Sequence, residues 1–397
     1  MSLVESYDVV VVGGGLAGLQ CARLLGKSGI KVLIVDRKVR IGEGVHTTGI
    51  FVRRTLEDFD LPEDCLGPPV RRVALYSPAR RALTLESAHD EFRVGRMSLL
   101  YERYLEECRQ SGVAWSPATR YINCEAKKDR SFIRLETKTQ ERIVSARYLI
   151  GADGAASRVA RDLNLDTNKQ WIVGVEDVMR GVSMSGAPCF HCFLDSALAP
   201  GYIAWVVNDG EETHVGVGGY AKRFNPVQAL ERFRKDVVER MFDLSRAEQV
   251  ERRGGRIPVG GVLRRIANER GLLVGDAAGA VSPLTAGGLD ACMRLSDIAA
   301  RVVVEYLKTN DAKALASYSG EHFRARFVSR LWMREIISRF ERPMLLEAAC
   351  ALLRLPLLRR VAESIFFGRN SFPDANPAWQ ARATPSLEEQ SPIARSG

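Results

Sequence analysis

The 397-residue sequence lacks the cysteine patterns of disulfide-rich and zinc-binding proteins. Its eight cysteines are irregularly spaced, and no second pair completes a metal site with the C-x-x-C pair of Cys189 and Cys192. We therefore expect no metal, and we interpret the pair as buried small residues. No basic segment precedes the first apolar run, so we predict no export signal and expect a cytoplasmic protein with reduced thiols.

Long apolar runs and patterns typical of nucleic-acid binding are also scarce. The most apolar stretch, residues 344–358, is too short to cross a bilayer and contains Glu347 and Arg354. The formal net charge is +9, but the basic residues are not interleaved with aromatic residues in a stripe. We expect no nucleic-acid partner, whereas an acidic membrane surface or an acidic electron-donor protein would suit this charge.

The chain opens with the pattern of a βαβ unit. A β-branched run at residues 7–13 predicts a buried parallel strand that ends in glycines. A helix is predicted from residue 16 to about 28, and a second buried strand over residues 31–35.

The turn between the first strand and the helix predicts a dinucleotide site. Gly13, Gly15 and Gly18 complete G-x-G-x-x-G between a strand and a helix, the context that makes this pattern specific. Gly13 allows a tight turn, Gly15 lets a pyrophosphate approach the backbone, and Gly18 brings the helix close to the strand. The helix start at Leu16 and Ala17 offers free N–H groups and the positive end of the helix dipole to the phosphates.

The second strand ends in an acidic residue at the spacing that ribose binding requires. Asp36 is predicted to accept hydrogen bonds from the ribose hydroxyls, and Arg37 beside it is assigned to the same site.

Further elements follow along the chain. Short apolar strands at 148–150 and 272–274 each end in Gly-Ala-Asp or Gly-Asp, and segments between 170 and 220 indicate antiparallel pairing. Residues 286 to about 370 are predicted to be mostly helical, and an irregular tail rich in Pro, Ser and Asn follows Ser371.

The predicted fold class is α/β, with three parts. These are a single Rossmann-type dinucleotide-binding domain, an interleaved antiparallel β-sheet substrate domain, and a helical C-terminal region with an irregular tail. The dinucleotide-binding domain is expected at residues 1–70, 96–165 and 250–310. The substrate domain is expected at residues 71–95 and 166–249, and the C-terminal region at residues 311–397.

Two later motifs indicate which dinucleotide binds. G-A-D-G-A-A-S-R-V-A-R at residues 151–161 and L-L-V-G-D-A-A-G at residues 272–279 are not features of NAD dehydrogenases. With the glycine turn and Arg96, they resemble in order the FAD-dependent family of the glutathione-reductase type. That family includes geranylgeranyl reductases, hydroxylases of the p-hydroxybenzoate hydroxylase type and flavin halogenases. The resemblance covers roughly residues 7–310 and implies non-covalently bound FAD.

The resemblance also assigns roles to single residues. Asp276 matches the family aspartate that binds the ribityl chain of FAD. Asp153 matches the aspartate near the pyrophosphate, and Arg96 matches an arginine that precedes a helix and reaches the cofactor.

One further segment resembles the loop that lies against the flavin ring in this family. Gly287, Gly288 and Leu289 match a glycine pair and a helix start at the pyrimidine edge of the ring. There, backbone N–H groups and the helix dipole would stabilise negative charge on the reduced flavin.

Two segments resemble geranylgeranyl reductases in particular. In residues 44–50, His46 stands where those enzymes carry a cysteine, so it could donate a proton to a substrate, or it could only shape the loop. Thr47 and Thr48 beside it are expected to line the pocket.

Residues 200–207 resemble the segment that lines the lipid pocket of those reductases, with Tyr202 and Trp205 at matching positions. Lying three residues apart on a predicted strand, the two side chains are expected on opposite faces unless a bulge intervenes.

The leading functional prediction is reduction of a carbon–carbon double bond in a hydrophobic, isoprenoid- or polyene-like substrate. Hydride would come from flavin N5, and a proton from solvent or His46. One alternative is NAD(P)H-dependent hydroxylation of an aromatic or lipid substrate, and another is a flavin-binding electron-transfer protein. No second G-x-G-x-x-G joins a strand to a helix, so NAD(P)H must dock transiently or a reduced protein must deliver electrons. We expect a monomer or a weak dimer.

The C-terminal helices carry a pattern that suggests peripheral membrane contact. Arg326, Arg330 and Arg334 recur every four residues and predict one arginine-rich helix face. Residues 321–369 contain ten arginines, no lysine and five acids, a composition that can lie on an anionic bilayer. The alternative is that the apolar side chains near Phe327 pack on the FAD domain while the arginines are solvated.

Overall fold

The computed structural model describes residues 4–339 and 342–368. The expected tail after Ser371 lies outside these residues. Within them the strands are, in chain order, β1 (Glu5–Val12), β2 (Val32–Val35), β3 (Ile50–Val52), β4 (Arg72–Tyr76), β5 (Ala82–Glu86), β6 (Phe92–Val94), β7 (Ala114–Ser116), β8 (Arg120–Lys127), β9 (Arg130–Glu136), β10 (Glu141–Gly151), β11 (Trp171–Arg180), β12 (Cys189–Phe193), β13 (Ala204–Asn208), β14 (Glu212–Gly219), β15 (Glu248–Pro258), β16 (Ala267–Asn268) and β17 (Gly271–Leu273).

The α-helices of the described residues fall mainly at the two ends of the chain. They are α1 (Leu16–Lys27), α2 (Arg53–Asp58), α3 (Met97–Gln110), α4 (Arg158–Asp162), α5 (Pro226–Phe233), α6 (Glu239–Met241), α7 (Leu289–Thr309), α8 (Gly320–Ala325), α9 (Val328–Ile337), α10 (Pro343–Leu352) and α11 (Pro356–Phe367).

The predicted βαβ unit forms the centre of an eight-stranded sheet. Its order is β16-β17-β10-β1-β2-β7, and the β8–β9 hairpin joins at β10. β1 pairs in parallel with both β2 and β10, and Val9, Val10 and Val11 are fully buried because both of their neighbours are hydrogen-bonded and helices cover the sheet. The serine hydroxyl of Ser296 on α7 donates to the carbonyl of Ala17 on α1 at 3.2 Å, which ties the longest helix to this layer.

The region between 170 and 220 is antiparallel, as the alternating pattern indicates. It belongs to a seven-stranded sheet of order β15-β11-β14-β13-β12-β4-β5, in which only β12 and β4 run parallel. One face packs on α5, whose Leu230 and Phe233 are fully buried.

One expected boundary falls in the wrong place. β15 covers Glu248–Pro258 and pairs with β11 along its whole length, so residues 250–258 lie in the seven-stranded sheet and not with the dinucleotide-binding residues. The charged, glycine-containing sequence of this edge strand hides the alternation that marks the other strands. The α/β class is confirmed, and the division into domains, with this boundary moved to residue 258, stays a proposal.

The prediction of one continuous arginine-rich helix face near residue 330 is wrong. α8 ends at Ala325 and α9 begins at Val328, so Arg326 does not share a helix with Arg330 and Arg334. Phe327, which lies between the two helices, is buried.

The arginines of α9 were expected to face outward, and the structure shows the reverse orientation. Arg334 is only 6% exposed and donates to the carbonyl of Pro283 at 2.8 Å. Arg330 donates to the hydroxyl of Ser282 at 3.0 Å. These arginines therefore face the body of the protein, and the opposite side of α9 faces outward.

Candidate active site

The glycine turn after β1 is shaped by close backbone contacts. Gly13 has φ +105°, and a Cβ on it would lie 2.2 Å from the carbonyl oxygen of Ala152. A Cβ on Gly18 would lie 1.9 Å from the carbonyl oxygen of Gly13. The turn that carries Asp153 therefore packs directly against the glycine turn, which only glycine permits.

Gly15 differs from its neighbours because the protein itself does not require glycine there. Its φ is −71°, an ordinary value, and a Cβ on it would meet nothing within 4 Å. The open space lies at the N-terminus of α1, beside Leu16 and Ala17, where free N–H groups attract phosphate. These residues thus fit the pyrophosphate of a dinucleotide.

Asp36 lies at the end of β2, beside the glycine turn. Its carboxylate accepts hydrogen bonds from the backbone N–H of Gly14 at 2.6 Å and of Lys38 at 2.7 Å. Each carboxylate oxygen can accept a second bond, so ribose hydroxyls fit here as well. Arg37 next to it is exposed.

The contacts of the Asp153 carboxylate are with residues that follow it closely in the chain. Its carboxylate accepts hydrogen bonds from the Ser157 hydroxyl at 2.6 Å and from the N–H groups of Arg158 at 2.7 Å and Val159 at 3.2 Å. It thereby holds the start of α4 in place, and burial raises its pKa. Its direct role in binding FAD stays a prediction.

Arg96 stands at the start of α3 and contacts other residues than those predicted to bind the cofactor. It pairs with Glu211 at 3.2 Å and donates to the carbonyl of Asp64 at 3.4 Å. Its direct contact with FAD stays a prediction.

Asp276 opens onto the crevice after β17. Burial raises its pKa to about 6, although part of its surface stays accessible. No side chain or N–H group of the described residues donates a hydrogen bond to its carboxylate. A Cβ on Gly288 would lie 3.9 Å from its Oδ1, which places it beside the start of α7. A polyol hydroxyl would satisfy this carboxylate.

Residues 282–288 form the loop that precedes α7, here named the flavin loop. Its backbone is closed by a hydrogen bond from the Ser282 N–H to the Gly287 carbonyl at 2.9 Å, and Ala286 has φ +51°. Leu289 begins the 21-residue helix α7, with Gly288 as its N-cap. The positive end of a long helix dipole is therefore directed at the crevice that holds Asp276.

Tyr202 and Trp205 lie on the same face, so the prediction of opposite faces is wrong. β13 begins only at Ala204, and Tyr202 precedes it in a bend. The two rings meet edge to face with centroids 6.3 Å apart.

Glycines beneath the two rings let them lie flat on the sheet. A Cβ on Gly216 would lie 2.2 Å from Cζ2 of Trp205, and a Cβ on Gly218 would lie 2.7 Å from Cδ1 of Tyr202. The Tyr202 hydroxyl donates to the carbonyl of Thr285 in the flavin loop at 2.6 Å. The rings, here named the aromatic floor, are thus joined to the predicted flavin position.

A buried ionic cluster lies next to the aromatic floor, and the sequence analysis missed it. Glu176 accepts hydrogen bonds from the indole N–H of Trp205 at 2.9 Å, from Nε of Arg253 at 2.8 Å, and from the hydroxyl of Thr48. Burial alone would raise the pKa of Glu176, but the charges of His214 and Arg253 outweigh burial and lower it to about 2. Glu176 is therefore a carboxylate with several donors around it.

His214 links Glu176 to a second carboxylate. Its Nδ1 lies 3.3 Å from Oε1 of Glu176 and 2.9 Å from Nη2 of Arg253, and its Nε2 lies 3.4 Å from Oδ2 of Asp209. Burial and the nearby Arg253 lower its pKa, but the two carboxylates outweigh them and raise it to about 9. The signal for this cluster was the presence of Glu and His within strands that are otherwise apolar.

His46 lies on the surface of the protein, in the loop that precedes β3. Although it is exposed, partial desolvation of its ring and then the charges of Lys38 and Arg37 lower its pKa. The hydroxyl of Thr47 accepts a hydrogen bond from the backbone N–H of Gly49 at 3.2 Å, while the hydroxyl of Thr48 donates one to the carboxylate of Glu176. Within this loop, the side chain that reaches the interior cluster is therefore Thr48 and not His46.

The described residues include no helix that is long and apolar enough to cross a membrane.

Curated relatives are similar to this chain over most of its length. The digeranylgeranylglycerophospholipid reductase of Methanocaldococcus jannaschii is 28% identical over 317 residues, which cover 78% of this chain and 80% of the relative. Digeranylgeranylglycerophospholipid reductase 3 of Methanosphaera stadtmanae is 25% identical over 350 residues, 84% of this chain and 87% of the relative.

Solved structures share the fold. A geranylgeranyl bacteriochlorophyll reductase-like protein from Thermoplasma acidophilum superposes with a TM-score of 0.78 at 21% identity, covering 97% of this chain and 98% of that one. The p-nitrophenol 4-monooxygenase of Pseudomonas putida gives 0.71 at 17% identity, covering 92% and 99%. A sequence model of the FAD binding domain matches residues 6–334, most of the chain. The protein therefore belongs to the FAD binding domain family and is an FAD-dependent oxidoreductase.

Proposed function

We propose that this protein reduces a carbon–carbon double bond in a hydrophobic, isoprenoid- or polyene-like substrate. The observation that carries the proposal is the aromatic floor of Tyr202 and Trp205, which is bonded to the flavin loop at Thr285. The curated relatives are named as reductases of an isoprenoid lipid, which supports a reductase over a monooxygenase.

The aromatic floor is suited to an apolar chain because its polar atoms are already satisfied. The Tyr202 hydroxyl is bonded to Thr285, and the Trp205 indole N–H is bonded to Glu176. The ring faces can therefore cover hydrocarbon without leaving a buried donor unpaired.

FAD, when bound and reduced, supplies a hydride at flavin N5. The open space at Gly15 and the carboxylates of Asp36 and Asp276 would hold its pyrophosphate, ribose and ribityl groups. The amides of Gly288 and Leu289 at the start of α7 would stabilise negative charge on the ring.

The proton of the reduction would come from solvent. The lowered pKa of His46 disfavours its protonated form, which makes solvent the better proton source. Electrons would come from NAD(P)H that docks transiently or from an acidic reduced protein, which the net charge of +9 would attract.

Rapid mixing tests the proposal against hydroxylation and simple electron transfer. Photoreduced holoprotein is mixed without oxygen with geranylgeraniol as probe, and we expect flavin reoxidation that depends on probe concentration. In a second arm, reduced protein is mixed with aerated buffer. A transient flavin hydroperoxide spectrum with no anaerobic reoxidation would establish the hydroxylase alternative, and reoxidation only by protein acceptors would establish electron transfer.

A further inference from the structure

Apolar side chains are concentrated on the outer surface of the last three helices. In residues 4–339 and 342–368, ten of the seventeen exposed large hydrophobic residues lie between 328 and 361. Trp332 is 68% exposed, Met344 84% and Leu357 73%. Val328, Trp332 and Ile336 follow one another at helical spacing along α9, so they form one stripe. We name these five exposed residues of α9, α10 and α11 the apolar face, and the surface of a soluble protein rarely carries so many exposed apolar side chains without a partner.

The apolar face cannot turn inward, because the opposite side of α9 is fixed. Arg334 donates to the carbonyls of Pro283 at 2.8 Å and Gly201 at 3.4 Å, and its guanidinium lies 5.1 Å from the ring centroid of Tyr220. Rotation of α9 would leave this buried charge without partners, which is strongly destabilising.

The charge around the apolar face is positive. Arg326, Arg342 and Arg360 are exposed, whereas the nearby Glu335 and Glu363 are paired with Arg339 and Arg359 one helical turn away. Exposed arginines on the same helical segment as these apolar side chains complement an anionic lipid headgroup layer.

A cavity of about 200 Å³ lies between these helices and the flavin loop. Leu284 and Thr285 line it on the side of the loop, and Arg330, Met333 and Ile365 line it on the side of α9 and α11. An isoprenoid chain that leaves a bilayer at the apolar face would enter beside the loop that carries Thr285.

We propose that the apolar face docks on an anionic lipid bilayer, with α9, α10 and α11 lying in the headgroup layer. Docking itself is independent of catalysis, and only the use of the cavity as an entry for substrate rests on the proposed function. It assigns membrane contact to the apolar side of α9, the reverse of the arginine face that the sequence suggests.

Co-sedimentation of FAD-loaded full-length protein with vesicles tests the proposal. We expect wild type to bind vesicles of phosphatidylglycerol and phosphatidylcholine at low salt, and to lose binding as salt rises. The double variant Trp332→Asp, Leu357→Asp should bind at least about ten-fold more weakly, because two apolar side chains no longer enter the bilayer. Val227→Asp on α5 is the matched control, an exposed valine on another helix, and should bind as wild type.

Three outcomes would overturn the proposal. These are no binding of wild type at low salt, equal binding of the double variant, or equal loss in Val227→Asp. If instead a second copy of the chain covers the apolar face, the wild type does not bind vesicles. Sedimentation velocity then shows a dimer for the wild type and a monomer for the double variant. Flavin absorbance verifies that each variant is folded. Anaerobic reoxidation by geranylgeraniol in detergent, measured separately, shows whether the proposed function holds when docking fails.

Discussion

The indole nitrogen of Trp205 lies 2.9 Å from Oε2 of Glu176, although β14 separates the two strands that carry them. The indole crosses β14 at Gly216, where a Cβ would lie 2.2 Å from the ring. One hydrogen bond thus joins the aromatic floor to the buried ionic cluster. A substitution that displaces residues of one should therefore also change the structure of the other.

Gly216→Ala should displace the indole of Trp205 and break its bond to Glu176. Because the new methyl group has no room, we expect a loss of about 1–3 kcal/mol in the free energy of unfolding. Urea unfolding gives the loss, and a shift in tryptophan fluorescence reports the displaced ring. Gly255→Ala on β15 is the control, since a Cβ there would meet nothing within 4 Å. Equal losses in both variants would show that crossing at Gly216 is not the cause.

Stability should fall on the alkaline side because of His214. Its pKa is raised to about 9 in the folded state, from 6.5 ordinarily, so its protonated form stabilises the fold fully below about 6.5. This contribution is lost as pH rises through about 9. Urea midpoints at neutral and alkaline pH should therefore differ more in wild type than in His214→Gln, which does not titrate. The same alkaline loss in both proteins would contradict a protonated His214.

Glu176→Gln should destabilise the protein by about 3–5 kcal/mol, because Arg253 and His214 would lose their shared buried anion. The pKa of Glu176 is lowered to about 2, so its contribution is present above its ordinary pKa of 4.5 and lost as pH falls toward 2. We expect wild type to lose stability in acid more steeply than the variant. An unchanged urea midpoint at neutral pH would show that the cluster is not coupled to folding.

Gly15→Val should give a folded, colourless protein. The valine has an allowed φ and no neighbour within 4 Å, but it fills the space that fits the pyrophosphate. Circular dichroism should match that of wild-type protein stripped of FAD, while flavin absorbance is absent after purification. A variant that keeps FAD at about one per chain would place the pyrophosphate elsewhere.

Asp276→Ala should weaken FAD by about 1–3 kcal/mol, the cost of removing a charged acceptor from a hydroxyl. A hydroxyl donor favours the carboxylate, and burial raises the pKa of Asp276 to about 6. The affinity of wild type should therefore fall as pH drops through about 6, and Asp276→Asn should lack this dependence. Fluorescence titration of FAD into the stripped protein over this pH range measures both effects.

The sequence predicts the parts of the site that lie close together along the chain. The glycine turn, the helix after it and the strand ending at Asp36 form one unit of about thirty residues, so local spacing is sufficient to identify them. The buried cluster is different: Glu176, His214 and Arg253 come from three strands, and only the pairing register brings them together. A sequence shows charged residues in these strands but not the register between them.

The C-terminal helices show a second feature that cannot be predicted from the sequence, which is the orientation of a helix. The spacing of Arg330 and Arg334 identifies a helix face, but periodicity does not tell which face turns toward the protein. The decisive contacts come from distant segments, since Arg334 is held by the carbonyls of Pro283 and Gly201. Burial of arginine against backbone carbonyls reversed the expected orientation. The aromatic floor shows the same effect on a smaller scale, because the late start of β13 at Ala204 puts Tyr202 and Trp205 on one face.

Mass spectrometry of the product tests the central claim most directly. Reduced holoprotein is incubated with geranylgeraniol in air and without oxygen, with Gly15→Val as the control that lacks FAD. The proposed reductase activity predicts a product that gains two hydrogen atoms for each reduced bond, in both atmospheres, and no product from the control. A product that gains one oxygen atom, formed only in air, would contradict it.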